Sequence, residues 1–100
     1  ALDDATVKTI MLQYVTETQN DMATLEVALQ ENNMSVAADT MHRIAGRSLQ
    51  TGLTDFGLAL RNFEIHLRNE PDEILPTADI QNLLDDMKKW MENYSLANPH

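Results

Sequence analysis

Helix-breaking residues are scarce in this chain, and they fall in clusters. Its 100 residues hold three glycines and three prolines. Gly46, Gly52 and Gly57 share one short stretch, Pro71 and Pro76 bracket a loop, and Pro99 lies at the tail. Between these marks apolar side chains recur at three- and four-residue intervals, the spacing of one helix face. One stripe is Val7, Met11, Tyr14, Thr18, Met22, Leu25 and Leu29, flanked by Ile10 and Val15. Asp3 and Asp4 precede it as N-cap residues. The stripe thins over Glu17–Asp21, so the segment reads as one bent helix or as two, and Asn32 and Asn33 end it because asparagine tolerates left-handed geometry. A second stripe is Met34, Ala37, Ala38, Met41, Ile44, Ala45 and Ser48, stopping near Gly52. A third is Leu53, Phe56, Leu60, Phe63 and Leu67, stopping before Pro71. The fourth, after Pro76 and Thr77, is Ile80, Leu83, Leu84, Met87, Met91 and Tyr94. No segment alternates with period two over strand length, so no sheet is expected. Short connections favour antiparallel neighbours, which makes the expected fold an all-α, up-down four-helix bundle with room for an extra short or kinked N-terminal helix. The six methionines fall mostly on the stripes, where they read as core filler.

The length suits one domain, residues 1–100, with a real core. Cysteine is absent, which removes disulfides, thiolate metal sites and thiol nucleophiles. Sixteen acidic residues against seven basic ones give a net charge of -9. Such a chain repels phosphate backbones and anionic membrane surfaces, so neither nucleic acid nor membrane is an expected partner. No stretch approaches the roughly 20 apolar residues of a membrane span. Acids stand where a signal peptide would carry basic residues and an apolar run. A cytoplasmic, monomeric piece of a larger chain is the expectation.

Three histidines are candidates for chemistry. His100 is at the tail, expected to be disordered, and His66 falls on the outer side of the third stripe. His42 differs. With Met41 at the centre of the second stripe and about 100° per residue, His42 sits on the shoulder between core and solvent. Gly46 lies one turn further along that shoulder. Glycine inside a helix is destabilising by about 0.5–1 kcal/mol relative to alanine, so its presence asks for a reason. Either a neighbouring helix packs tightly there, or another protein approaches bare backbone beside the imidazole. Helix geometry leaves both open.

The second and third helices turn near Leu53, and His42 and Glu64 stand at equal sequence distances on either side of it. In an antiparallel hairpin they share one height. Glu64 lies about 40° off the core axis of the third stripe, where a carboxylate needs a partner. A carboxylate accepting from the imidazole Nδ1–H would leave Nε2 as a free lone pair. A purely structural His–Glu pair is the commoner reading of such residues taken alone. Other chemistries find less support. Asp39-x-x-His42 has no second copy with which to build a di-iron bundle site. A Gly-rich phosphate loop is absent, and Ser35 and Ser48 lack a triad.

The run His42-Arg43-Ile44-Ala45-Gly46-Arg47-Ser48 resembles the signature of histidine-containing phosphotransfer (HPt) domains, His-x-Leu/Ile-Lys-Gly-x-small. Gly52 falls where that family often has glycine before the next helix, and Leu60, Phe63 and Glu64 fit its Leu…Leu-Glu ending. Upstream, Leu25-x-x-Ala28-Leu29 followed by Glu31-Asn32-Asn33 looks like the helix and turn before the histidine helix. The resemblance spans residues 7–68. It implies a phosphorelay module of two-component signalling with no catalytic engine and no cofactor of its own, free-standing or at the cytoplasmic end of a hybrid sensor histidine kinase. His42 would accept a phosphoryl group from a receiver-domain aspartate and pass it to a response-regulator aspartate, and the receiver would supply the Mg²⁺. Glu64 would orient the ring. Ala38, Asp39, Ala45, Gly46 and Leu49 would border the imidazole and meet the receiver.

One departure concerns charge. The family's usual lysine, three residues after the histidine, is Ala45 here. Arg43 and Arg47 project to the other flank of the helix, which leaves Arg68 and Arg61 as the expected phosphoryl-facing cations, since charge-assisted contacts are the stronger ones. Two further readings stand beside the phosphorelay: a helical interaction module that keeps the fold without phosphotransfer, and an unrelated bundle carrying a metal or cofactor.

Overall fold

A computed structural model describes residues 3–70 and 74–99. They form four helices, α1 (Asp4–Gln30), α2 (Met34–Gln50), α3 (Thr54–Asn69) and α4 (Thr77–Ala97), and no strand among the described residues. Pro71 and His100 lie outside the described residues.

The helix ends follow local chemistry. Asp3 caps α1, its Oδ1 accepting from the Thr6 N–H at 2.7 Å. Asn32 takes φ 55° and Gly52 φ 85°. Each closes its helix with the same pair of backbone bonds, Asn33 N–H to Ala28 O and Asn32 N–H to Leu29 O in one case, Leu53 N–H to Ser48 O and Gly52 N–H to Leu49 O in the other. This doubly bonded stop satisfies the orphan carbonyls of a helix C-terminus and reverses the chain tightly. Asn33 then caps α2 by accepting from the Val36 N–H at 3.3 Å. The two three-residue turns force α1, α2 and α3 into antiparallel order. The α2–α3 hairpin is the most extensive helix contact, α1 lies along α2, and α4 closes the bundle against α1 and α3.

α1 is one continuous helix of 27 residues, so the thinning of its apolar stripe does not mark a break. The polar stretch is a seam against α2. Thr18 is fully buried and accepts from Arg47 Nη1 at 3.2 Å. Arg47 also pairs with Glu17 at 3.1 Å and Asp21 at 2.8 Å, and Arg43 reaches Asp21 at 3.3 Å. At about 1.5 Å per residue α1 is roughly 40 Å long, which accounts for most of the 47 Å long axis. Its first turns extend past the α2–α3 hairpin, and Val7 and Ile10, expected on the buried stripe, are exposed there.

The core holds Tyr14, Met22, Leu25, Met41, Ile44, Leu60, Ile80, Leu84, Met87 and Met91, so four of the six methionines are fully buried filler. Tyr14 shares a buried 2.7 Å hydrogen bond with Ser48. Burial pushes the Tyr14 hydroxyl up from its ordinary acidity, against the hydrogen bonds with Ser48 and Thr18. Trp90, which none of the stripes includes, joins three helices: its ring meets Tyr14 edge-on at 6.3 Å, Phe56 edge-on at 6.4 Å, and stacks on Tyr94 at 5.4 Å.

Candidate functional site

α2 buries Met41, Ala45 and Ala38 against the rest of the bundle. That fixes the helix's rotation and turns His42 outward, with 61 % of its side chain exposed. Across the hairpin Glu64 rises from α3 with only 6 % of its side chain exposed. Its two oxygens lie at equal distances from His42 Nδ1, 3.1 Å to Oε1 and 3.1 Å to Oε2. An ionised carboxylate can only accept, so Nδ1 carries the proton and donates. In the neutral ring Nε2 is then a lone pair directed away from the carboxylate.

Glu64 is held from two further sides. Arg68, one turn along α3, donates from Nε to Oε2 at 2.8 Å, and its Nη2 donates to Asp39 Oδ1 on α2 at 2.9 Å. Arg61 Nη1 stands 3.7 Å from Oε1. Burial resists ionisation of the Glu64 carboxyl, but the hydrogen bonds and charges of Arg68 and His42 outweigh it and hold the group below its ordinary value. The same contacts with Glu64 and Asp39 raise the Arg68 guanidinium above its own.

The glycines divide in role. A Cβ built on Gly46 would meet nothing within 4 Å. Gly46 therefore does not serve helix packing, and of the two readings open from helix geometry the tight-packing one is removed. Gly57 on α3 is the packing glycine: a Cβ there would come within 2.7 Å of Leu49 Cγ and 3.1 Å of the Ala45 carbonyl oxygen. α2 and α3 approach closely at this point, and Ala45, 1 % exposed, lies in that contact. This is a physical reason for a small residue at position 45. The cations near His42 come from α3.

Two expected docking residues need correction. Ala38 and Ala45 are core residues, 3 % and 1 % exposed, because they sit within about 60° of the buried axis of α2 and are not available to a partner. Asp39, Gly46 and Leu49 are exposed. Leu58 and Ile65, absent from the expected patch, are 50 % and 43 % exposed. They lie seven residues apart on the outer face of α3, a spacing that could have singled them out. Arg43 and Arg47 face α1, as their helix positions imply. Ser48 is spent on Tyr14. His66 is half-buried and stands 3.9 Å from Glu70.

Among the described residues no three His, Cys, Asp or Glu side chains come together as metal ligands. Clefts lined by Ala23, Val27 and Val36 and by Leu53, Phe56 and Trp90 include neither His42 nor Glu64. No described helix is long and apolar enough to cross a membrane.

Fold and site together define a class: a four-helix bundle bearing one outward imidazole anchored by a buried carboxylate. No family model, curated protein or solved structure matches the chain.

Proposed function

We propose that the protein is a histidine phosphotransfer module, with His42 as the phosphoryl carrier between receiver-domain aspartates. The observation that carries this reading is the half-exposed imidazole whose Nδ1–H is fixed by the buried Glu64 carboxylate at 3.1 Å. The Nε2 lone pair attacks the phosphorus of an aspartyl phosphate. The Nε2–P bond forms as the bond from phosphorus to the carboxylate oxygen breaks, and the aspartate leaves with the electron pair. Nδ1 keeps its proton throughout, so the ring gains positive charge, which Glu64 stabilises. In the second transfer a carboxylate oxygen of the next receiver attacks the same phosphorus and the imidazole leaves neutral.

Little else is asked of this chain. Positioning and charge stabilisation dominate phosphoryl transfer, and a receiver carrying Mg²⁺ supplies most of both. The imidazole stands 61 % exposed on the surface of the bundle, and this favours a macromolecular partner. Gly46 offers bare backbone one turn from the imidazole. Leu49 on α2 and Leu58 and Ile65 on the outer face of α3 are exposed apolar side chains. Arg61, 48 % exposed and, among the described residues, held only by the 3.7 Å contact with Glu64, is the cation best able to turn to a phosphoryl oxygen.

The alternative is an interaction module of the same fold without phosphotransfer. It draws on Ala45, which leaves α2 without a basic side chain beside the imidazole. Incubation with phosphorylated receivers separates the two. Acid-labile, base-stable phosphate on the wild type and none on His42→Gln supports transfer. No label on either across a panel of receivers supports the interaction module.

A further inference from the structure

Arg68 is placed unlike a phosphoryl-binding arginine. Two of its donor nitrogens are engaged, Nε on Glu64 Oε2 and Nη2 on Asp39 Oδ1. Asp39 stands three residues before His42 on α2, so Arg68 spans the α2–α3 groove as a second rung beside the His42–Glu64 rung. The Asp39–Arg68 pair is exposed, 59 % and 43 % of the two side chains. Exposed pairs add little to stability, so holding the two helices together is not a sufficient account of it.

The geometry around Glu64 suggests what the pair does. Arg61 stands on the Oε1 side at 3.7 Å and Arg68 on the Oε2 side at 2.8 Å. Between them the carboxylate presents both oxygens equally to Nδ1, each at 3.1 Å. A guanidinium is a rigid planar fork and can bridge two carboxylates with fixed relative geometry. Without Asp39 that fork would have one fixed end and could swing into solvent. Glu64 would then be free to turn toward Arg61 and off the line to Nδ1.

We infer that Asp39 and Arg68 are positioning residues, a strut that sets the orientation of Glu64 and, through it, the tautomer of His42. This assigns Arg68 to the imidazole's proton and leaves Arg61 for the phosphoryl group. Its consequence for transfer rests on the phosphotransfer reading above; its consequence for the tautomer does not.

The test uses the ¹⁵N-labelled protein and long-range ¹H–¹⁵N correlation of the His42 ring in its neutral form. Asp39→Ala and Arg68→Ala are compared with wild type, with Asp39→Glu as the conservative variant and Arg68→Lys as one that keeps the charge without the rigid planar fork. In the two alanine variants the ratio of Nδ1–H to Nε2–H ring falls by up to about fivefold, the upper end of what losing an exposed charge pair does. Asp39→Glu restores it, and Arg68→Lys does not. Thermal unfolding of Asp39→Ala stays close to wild type, which separates positioning from loss of fold. An unchanged ratio in both alanine variants overturns the inference. If the ratio falls as described but wild type takes no phosphoryl group from any receiver, the strut stands and the phosphotransfer reading falls.

Discussion

Replacing Gly46 by alanine should make the protein more stable and a poorer phosphotransfer partner. Gly46 lies inside α2, twelve positions after its first residue and four before its last. A Cβ there meets no atom within 4 Å. The substitution therefore removes backbone freedom from the unfolded chain without a clash, worth about 0.5–1 kcal/mol for glycine to alanine inside a helix. For a domain of this size that raises the thermal midpoint by roughly 2–8 °C. Gly57→Ala is the control. Its new Cβ would fall 2.7 Å from Leu49 Cγ and 3.1 Å from the Ala45 carbonyl oxygen, so Leu49 must shift and α2 must give by a few tenths of an ångström. Overpacking of this kind is destabilising by about 1–3 kcal/mol, less the helix-propensity gain. Urea and thermal unfolding followed by far-UV circular dichroism measure both. Transfer from a phosphorylated receiver, assayed alongside, should slow in Gly46→Ala. A loss of stability in Gly46→Ala would refute the claim that this glycine is not structural. A gain in stability with unchanged transfer would refute the claim that a partner approaches its backbone.

The remaining predictions concern buried polar contacts and pH. The folded Glu64 carboxyl lies below its ordinary value near 4.5, so its contribution is fully present above that pH and is lost as pH falls through the lowered value. The urea midpoint of wild type should decline on acidification below about pH 4.5 more steeply than that of Glu64→Gln; parallel curves would remove Glu64 from the account. At neutral pH Glu64→Ala should lose about 1.5–3 kcal/mol, the range for hydrogen bonds to a charged group, and equilibrium unfolding checks this. Ser48→Ala removes one of the two partners of the buried Tyr14 hydroxyl, leaving Thr18, and should lose about 0.5–1.5 kcal/mol, whereas adding Tyr14→Phe recovers part of that loss. A double-mutant cycle with no coupling would contradict the hydrogen bond. Trp90→Ala removes the ring that joins α1, α3 and α4 and should lose about 3–5 kcal/mol, reduced because Trp90 is only half-buried.

Much of the fold is legible in the residues because helix periodicity and turn chemistry agree. Asn32 and Gly52 stand where left-handed backbone is needed, and the stripes between them end there. The pairing of His42 with Glu64 is legible for the same reason: a tight turn at Leu53 makes the hairpin nearly symmetric, so equal sequence distances become equal heights. What periodicity hides is pairing between polar faces. Glu17–Asp21 looks like an interruption until Arg43 and Arg47 of α2 are set against it. Ala38 and Ala45 lie on the apolar stripe of α2 and stay buried there, and the close approach of Gly57 adds to the enclosure at Ala45 alone. Gly46 and Gly57 carry no mark that tells the exposed glycine from the packed one. Arg61 and Arg68 lie on the same shoulder of α3. Arg68 is level with Asp39 across the hairpin and bridges two carboxylates, whereas Arg61, level with Ala45, makes one long contact among the described residues.

The most direct measurement is of which nitrogen becomes phosphorylated. With the protein treated with phosphoramidate, which transfers its phosphoryl group to exposed imidazole and releases ammonia, ³¹P and long-range ¹H–¹⁵N spectra identify the modified atom. A phosphoryl group on Nε2 of His42, with Nδ1–H retained and its signal sensitive to Glu64→Gln, is the expected result. Phosphate on Nδ1 of His42, or on His66 in preference to His42, would contradict it.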